Sequence, residues 1–215
     1  MARPRREQSD PRVMSDWIKE GRGTGQNGTW QPWLRIQDLS STGKAGRLSR
    51  HIAGDRLVHV LSGFETQCFD IFEWTPGMID INEQYPLLPL EETQEIARDL
   101  NVDHPVSPNT GDPIVMSSDF FLTKGNAEGV KEYFPRDFKP AQRLYSPKTL
   151  AKFEITKILL FHLKNNRVRS VCGGNSHPLR YLIFCVTFLE NFNRSKTFYT
   201  NLKTQTILDP CAIPE

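Results

Sequence analysis

Cysteine is scarce, and its spacing suits no paired chemistry. Cys68, Cys172, Cys185 and Cys211 form no close pair, which argues against a disulfide framework or a zinc finger and for a reducing cytoplasm. Cys172, His177 and Cys185 read as core and turn residues rather than zinc ligands. No apolar run approaches the roughly eighteen residues of a membrane helix, so no membrane association is expected. Met1 to Gln8 has no apolar stretch that would make a secretory signal. The glycine-rich loop Gly21 to Gly28 is followed by no Gly-Lys-Ser/Thr and does not lie between a strand and a helix, so neither a P-loop nor a dinucleotide turn is present. Tryptophan is absent after Trp74.

The charge that is present is segregated. The chain of 215 residues carries a net charge of only +2. Residues 1–60 hold 11 Lys+Arg against 6 Asp+Glu, residues 61–135 hold 3 against 14, and residues 136–215 hold 13 against 5. Basic flanks around an acidic centre fit a protein that grips phosphates while offering carboxylates to a cation. Part of the acidic block, Glu91 to Glu95, also reads as the solvated face of a helix.

The acidic centre focuses on Ile114 to Lys139. Ile114 to Leu122 is rich in β-branched and aromatic residues and is bounded by Pro113 and the turn Lys124-Gly125-Asn126, which predicts a strand entering a hairpin. A short second strand is expected to start near Arg136, because Pro135 removes a ladder hydrogen bond. Alternation along it would put Asp137 and Lys139 on one face and Phe138 on the other, with Asp119 reaching them from the neighbouring strand. Two carboxylates and a lysine at a sheet edge suit Mg²⁺-assisted phosphoryl chemistry. The carboxylates hold a hard cation that activates water, and the lysine orients the water or neutralises developing charge. Equally, Asp119 reads as a strand-end residue and Asp137 with Lys139 as an exposed pair.

A third acid lies upstream. Phe64, Cys68, Ile71 and Phe72 recur at helical spacing, and Ser62-x-x-Glu65 is a capping box at the start of that helix. A capping glutamate and a metal-ligating glutamate look alike at this position.

Five collinear motifs carry a resemblance. They are Glu20-Gly21-Arg22-Gly23 with Pro32-Trp33, Leu61-Ser62-x-x-Glu65, Asn82-Glu83-Gln84-Tyr85-Pro86-Leu87, Met116-Ser117-Ser118-Asp119-Phe120 and Phe138-Lys139-Pro140-Ala141. In this order, across roughly residues 17–157, the chain resembles the TnsA endonuclease subunits of heteromeric bacterial transposases, whose nuclease domain belongs to the PD-(D/E)xK group. The resemblance implies a restriction-endonuclease-like α/β fold, with a mixed sheet flanked by helices. It implies that Glu65 and Asp119 ligate Mg²⁺, with Mn²⁺ able to substitute, and that Lys139 is the catalytic lysine. It also points to Asp137 as the third Mg²⁺ ligand, at the second acid position, where TnsA proteins often carry glutamine and the wider nuclease group an acid. Glu154 would be an assisting acid, against the alternative of a surface ion pair with Ile155 buried. Arg22 would contact a DNA phosphate, against the alternative of a plain flexible loop. Lys44, Arg47 and Arg50 would lead the DNA backbone to the site.

The same resemblance implies cleavage of the 5′ ends of a transposon in double-stranded DNA. The work would be shared with a DDE-type transposase subunit, TnsB, and an AAA+ ATPase regulator, TnsC. Its alternative is a catalytically inactive nuclease-like subunit kept for DNA binding and assembly. Residues 1–16 are expected to be a mobile basic arm, with one short helical turn over Asp16 to Glu20, and Trp33 to Leu39 a strand. Asp80 would be exposed on a face shared with Asn82 and Gln84, and Glu83 would be a buried pairing residue or a further site residue. Beyond about residue 158 the resemblance fades into a tail that is either divergent or altered in reading frame.

Overall fold

A computed structural model of the chain describes residues 9–38, 45–139 and 146–171. Helix α1 spans Pro11–Lys19, with Asp10 as its N-cap, accepting from the Arg12 N–H, and a proline in its first turn. These are strong local start signals, and they place a helix inside the stretch expected to be a mobile arm. What holds it is burial: Trp17 packs edge-on to Trp33 at 5.2 Å beside Leu34 and Val115. The strand expected over Trp33 to Leu39 is absent from its described part. The chain there makes a 3-10 turn over Ile36–Asp38, with the Arg35 N–H bound by the Asp38 carboxylate at 2.9 Å.

Strands β1 (Gly46–Ser49) and β2 (Leu57–Val60) form an antiparallel pair. Helix α2 (Gly63–Glu73) follows directly. Strands β3 (Met78–Pro86), β4 (Ser117–Gly125) and β5 (Lys131–Arg136) make the second sheet in that order, every pairing antiparallel. The mixed sheet that was expected is therefore not seen among the described residues. Helix α3 (Leu90–Asp99) lies between β3 and β4 in the chain, and α4 spans Pro147–Val171.

Alternation along β4 sends its side chains to two cores. Phe120 and Leu122 join Phe69, Cys68, Val58, Val60, Ile81 and Phe138 against α2. Phe121 points the other way, to a cluster of Ile96 from α3 and Ile155 and Leu159 from α4, with Leu87 just past β3 and Met116 just before β4. Helices thus cover both faces of the three-stranded sheet. Ile71, expected to point inward, is 38% exposed; Phe69 takes the buried place on α2. Cys68 is a free buried thiol, and burial is the main reason its pKa rises to about 12. Among the described residues no helix is long and apolar enough to cross a membrane.

One residue of β3 breaks the alternation. Gln84 adopts φ 49°, a left-handed conformation uncommon for a non-glycine residue. Glu83 and Gln84 consequently both turn toward the α2 side. Tyr85 swings across to stack on Phe121 at 4.3 Å, although the ladder pairs it with Ser118.

Candidate active site

Glu65 reaches the site from the first turn of α2. Ser62 caps that helix by accepting from the Glu65 N–H at 3.2 Å. The Glu65 carboxylate accepts from the Ser62 hydroxyl and the Leu61 N–H, each at 2.9 Å. The capping geometry is therefore present, but it does not account for the carboxylate's surroundings. Burial, and next the negative charge of Asp119, push its pKa up to about 7. Gln84 Nε2 adds a donor at 3.4 Å, which requires the left-handed turn in β3.

Asp119 and Asp137 come from adjacent chain segments. Strand β5 runs from Lys131 to Arg136, through Pro135, instead of starting near Arg136. Pro135 is accommodated because, among the described residues, β5 pairs with β4 alone and is the edge strand of its sheet. Asp137, Phe138 and Lys139 consequently lie just past the strand. Phe138 is a core residue, edge-on to Phe64 at 5.3 Å. Its N–H donates to Asp119 Oδ2 at 2.7 Å, and Lys139 Nζ stands 3.8 Å from the same oxygen. Lys139, partly exposed, also donates to the Phe138 carbonyl at 2.9 Å.

Asp137 is 2% exposed, so it is not half of an exposed pair. Its Oδ2 accepts from the Ser118 hydroxyl at 3.3 Å and its Oδ1 from the Asp119 N–H at 3.4 Å. Burial raises its pKa, against the opposing charge of Lys152, whose Nζ lies 3.9 Å from Oδ1. Lys152 also donates to the Ser117 carbonyl at 3.0 Å, tying α4 to the start of β4.

Lys152 and Gln84 were not legible as site residues. Lys152 sits among alternating charges on a helix, and nothing local marks which of them turns inward. The left-handed backbone that aims Gln84 at Glu65 has no sequence signal, since the conformation favours Gly, Asn and Asp.

The remaining sequence candidates scatter. Glu154 is 55% exposed and pairs with Lys157 at 3.5 Å above a buried Ile155, the surface ion pair of its two readings. Arg22 is 5% exposed: its guanidinium binds Asp38 at 2.6 Å, Glu20 at 3.0 Å and the Trp33 carbonyl at 2.9 Å, over the Trp17 ring. It is a buried clamp, not a group presented to phosphate. Arg50 pairs with Asp70. Arg47 is exposed, with Gln37 Oε1 at 3.0 Å. Lys44 lies outside the described residues. Glu83 is fully buried and paired with Arg56 at 2.7 Å, with the His59 N–H at 3.1 Å, which accounts for its charge structurally. Asp80 is buried, accepting from the Asn27 N–H at 3.1 Å, where exposure was expected.

Among the described residues, no three His, Cys, Asp or Glu side chains close into a ready metal cage. The donor set still suits Mg²⁺, which commonly takes one or two carboxylates and fills its remaining positions with water and substrate phosphate. Glu65 and Asp119 are two oxygen donors near enough that one's charge disfavours ionisation of the other, a conflict that a cation between them relieves. Asp137 differs in lying deeper, 2% exposed, with the Lys152 ammonium already 3.9 Å from its Oδ1.

No family model matches this chain. Over 140 residues, 65% of its length, it is 40% identical to the transposon Tn7 transposition protein TnsA of Escherichia coli, a match covering 49% of that protein. The chain thus spans about half the length of this curated relative. Over the matched stretch it is TnsA-like, as its five motifs imply.

Proposed function

We propose that the chain is a DNA endonuclease subunit of a heteromeric transposase, hydrolysing a phosphodiester at the 5′ ends of a transposon. The observation that carries this reading is the meeting of Glu65, Asp119 and Lys139. Two carboxylates on different elements share one electrostatic environment, with a partly exposed lysine 3.8 Å from one of them. Similarity to a transposition protein supports the biological setting.

Glu65 and Asp119 would hold Mg²⁺, or Mn²⁺ in its place. When bound, the ion supplies an activated water and stabilises charge on the phosphoryl oxygens and leaving alkoxide. The chain's own residues do the rest. The Phe138 N–H holds Asp119 Oδ2 in place, and the Ser62 hydroxyl and Leu61 N–H fix Glu65. Lys139 orients the attacking water or offsets charge that develops on the phosphate. Asp137 acts from beneath, holding the Asp119 backbone and Ser118.

The test combines this protein with a DDE-type transposase subunit, an ATPase regulator and labelled transposon-end DNA in Mg²⁺. Nicking of the 5′ strand should occur with wild type and disappear in Asp119→Ala and Lys139→Ala. If the partner cuts the 3′ strand while wild type never nicks the 5′ strand, the catalytic reading fails. The chain is then an inactive nuclease-like subunit for DNA binding and assembly.

A further inference from the structure

We infer that a second, separate site, an open pocket between the 3-10 turn at Ile36–Asp38 and the β1–β2 pair, binds a backbone phosphate of the DNA through Arg35 and Arg47. The pocket is about 340 Å³ and is lined by Gln31, Arg35, Gln37, Arg47, Arg56 and His59 among others. Three of these six carry guanidinium groups, and their partners differ in kind. Arg56 is spoken for: Glu83 neutralises it at 2.7 Å, and the Asn27 and Ile81 carbonyls take its other N–H groups at 2.7 and 3.0 Å. Arg35 and Arg47 have no carboxylate within ion-pairing distance among the described residues. The Arg35 guanidinium donates to Gln31 Oε1 at 2.9 Å and that of Arg47 to Gln37 Oε1 at 3.0 Å, both neutral amides.

The nearest candidate to neutralise Arg35 is withheld from it. Asp38 Oδ2 lies in the ion pair with the buried Arg22 guanidinium and accepts only the backbone N–H of Arg35. The Arg35 guanidinium therefore stands beside Arg22 and feels the Glu20 and Asp38 carboxylates only from beyond ion-pairing distance, and His59 shares the same environment. Burial, followed by the charges of Arg47 and Arg35, lowers the His59 pKa to about 4, so its ring is neutral, with Nδ1 facing the Ile36 N–H at 3.3 Å. Two guanidinium groups held by exchangeable amide contacts, over a neutral imidazole, form a receptor for a doubly hydrogen-bonded oxyanion.

Position selects a DNA phosphate over other anions. His59 lies on β2, and Leu61, two residues on, donates to Glu65. Two residues of extended chain cover about 7 Å, so a phosphate in the pocket sets a neighbouring phosphodiester toward the carboxylates. This identification of the ligand rests on the nuclease reading. The anion site itself does not.

The experiment measures binding of the full chain to double-stranded DNA in EDTA, where no hydrolysis occurs, across a salt series. Arg35→Gln with Arg47→Gln should weaken binding about tenfold and reduce the slope of log K against log[salt] by about 1. Arg12→Gln with Arg98→Gln removes the same charge from exposed positions elsewhere and serves as the reference. Equal affinity and slope for the two double variants overturn the proposal. Arg47→Gln alone, at an exposed strand position, should show the effect in smaller form even if the double variant folds poorly; an unchanged slope there counts against the pocket. Inorganic phosphate provides the other arm: if it raises the Tm of wild type but not of the pocket variant while DNA binding is unchanged, the pocket takes a free anion and the DNA assignment is wrong. Loss of DNA binding in the pocket variant, while wild type binds DNA yet never nicks it in Mg²⁺ with its partners, leaves the pocket standing although the nuclease reading falls.

Discussion

Asp119 and Asp137 hold one another through the backbone. The Asp119 N–H donates to Asp137 Oδ1 at 3.4 Å, while Asp119 Oδ2 accepts the N–H of Phe138, the residue after Asp137, at 2.7 Å. Asp119 keeps its Oδ1 out of these contacts, with Lys139 beside its Oδ2, whereas Asp137 is engaged at both oxygens and faces Lys152.

The two acids should therefore fail differently. Asp137→Asn keeps hydrogen-bonding capacity for Ser118 and the Asp119 N–H and is expected to retain nicking to within about tenfold. Asp119→Asn should abolish it. Asp137→Ala removes the counter-charge of Lys152 and the acceptor of the Asp119 N–H and should cost about 2–4 kcal/mol in urea unfolding. Equal loss of nicking in Asp137→Asn and Asp119→Asn would give Asp137 a direct part in the chemistry.

Glu65 makes stability pH-dependent, and the sign follows from its raised pKa. Below its ordinary 4.5 the carboxyl is neutral in folded and unfolded chains alike. Between there and about 7 only the unfolded chain ionises, so stability falls as pH rises, with the full cost in place above about 7. Glu65→Gln should stabilise the metal-free protein by about 1–3 kcal/mol at high pH and not at low pH. A difference in Tm that does not change with pH would show that the carboxylate is not held in this unfavourable state.

Glu83 and Arg56 form a buried pair whose value is best seen when broken. Glu83→Ala strands a guanidinium that also ties Asn27 and Ile81, and should cost about 3–5 kcal/mol. A double-mutant cycle with Arg56→Met should recover part of that loss. Additive effects would mean that the two side chains do not stabilise each other.

Arg22→Lys separates a buried clamp from a DNA contact. A lysine cannot bind Asp38, Glu20 and the Trp33 carbonyl in one plane, so stability should drop by about 1–3 kcal/mol. The salt slope for DNA binding should stay as in wild type. A slope reduced by about 1 would return Arg22 to the DNA interface.

Gly25 and Gly111 both have positive φ, at 98° and 77°, but differ in room. A Cβ on Gly25 would lie 2.2 Å from the Thr29 carbonyl oxygen, whereas one on Gly111 meets nothing within 4 Å. Gly111→Ala should cost about 1 kcal/mol, the conformational penalty alone. Gly25→Ala should cost clearly more by the same unfolding measurement.

Sequence alone determined what is local in this protein. The Ser62 cap, the hairpin strand through Phe120 and the five collinear motifs are written in adjacent residues, because capping, alternation and turn chemistry act over a few positions. Asp10-Pro11 is equally local evidence for α1, but the absence of periodicity led to the expectation of a mobile arm there, and the structure corrects it. Tertiary structure decided what depends on direction and burial. Whether Arg22 faces solvent or Asp38, whether Asp137 lies on a strand or beneath Asp119, and which charged residue of α4 turns inward to become Lys152 of the site are settled by packing between distant segments. Gln84 is the sharpest instance: one left-handed residue, sustained by the surrounding sheet, reverses the face that period-two alternation assigns and delivers an amide to Glu65.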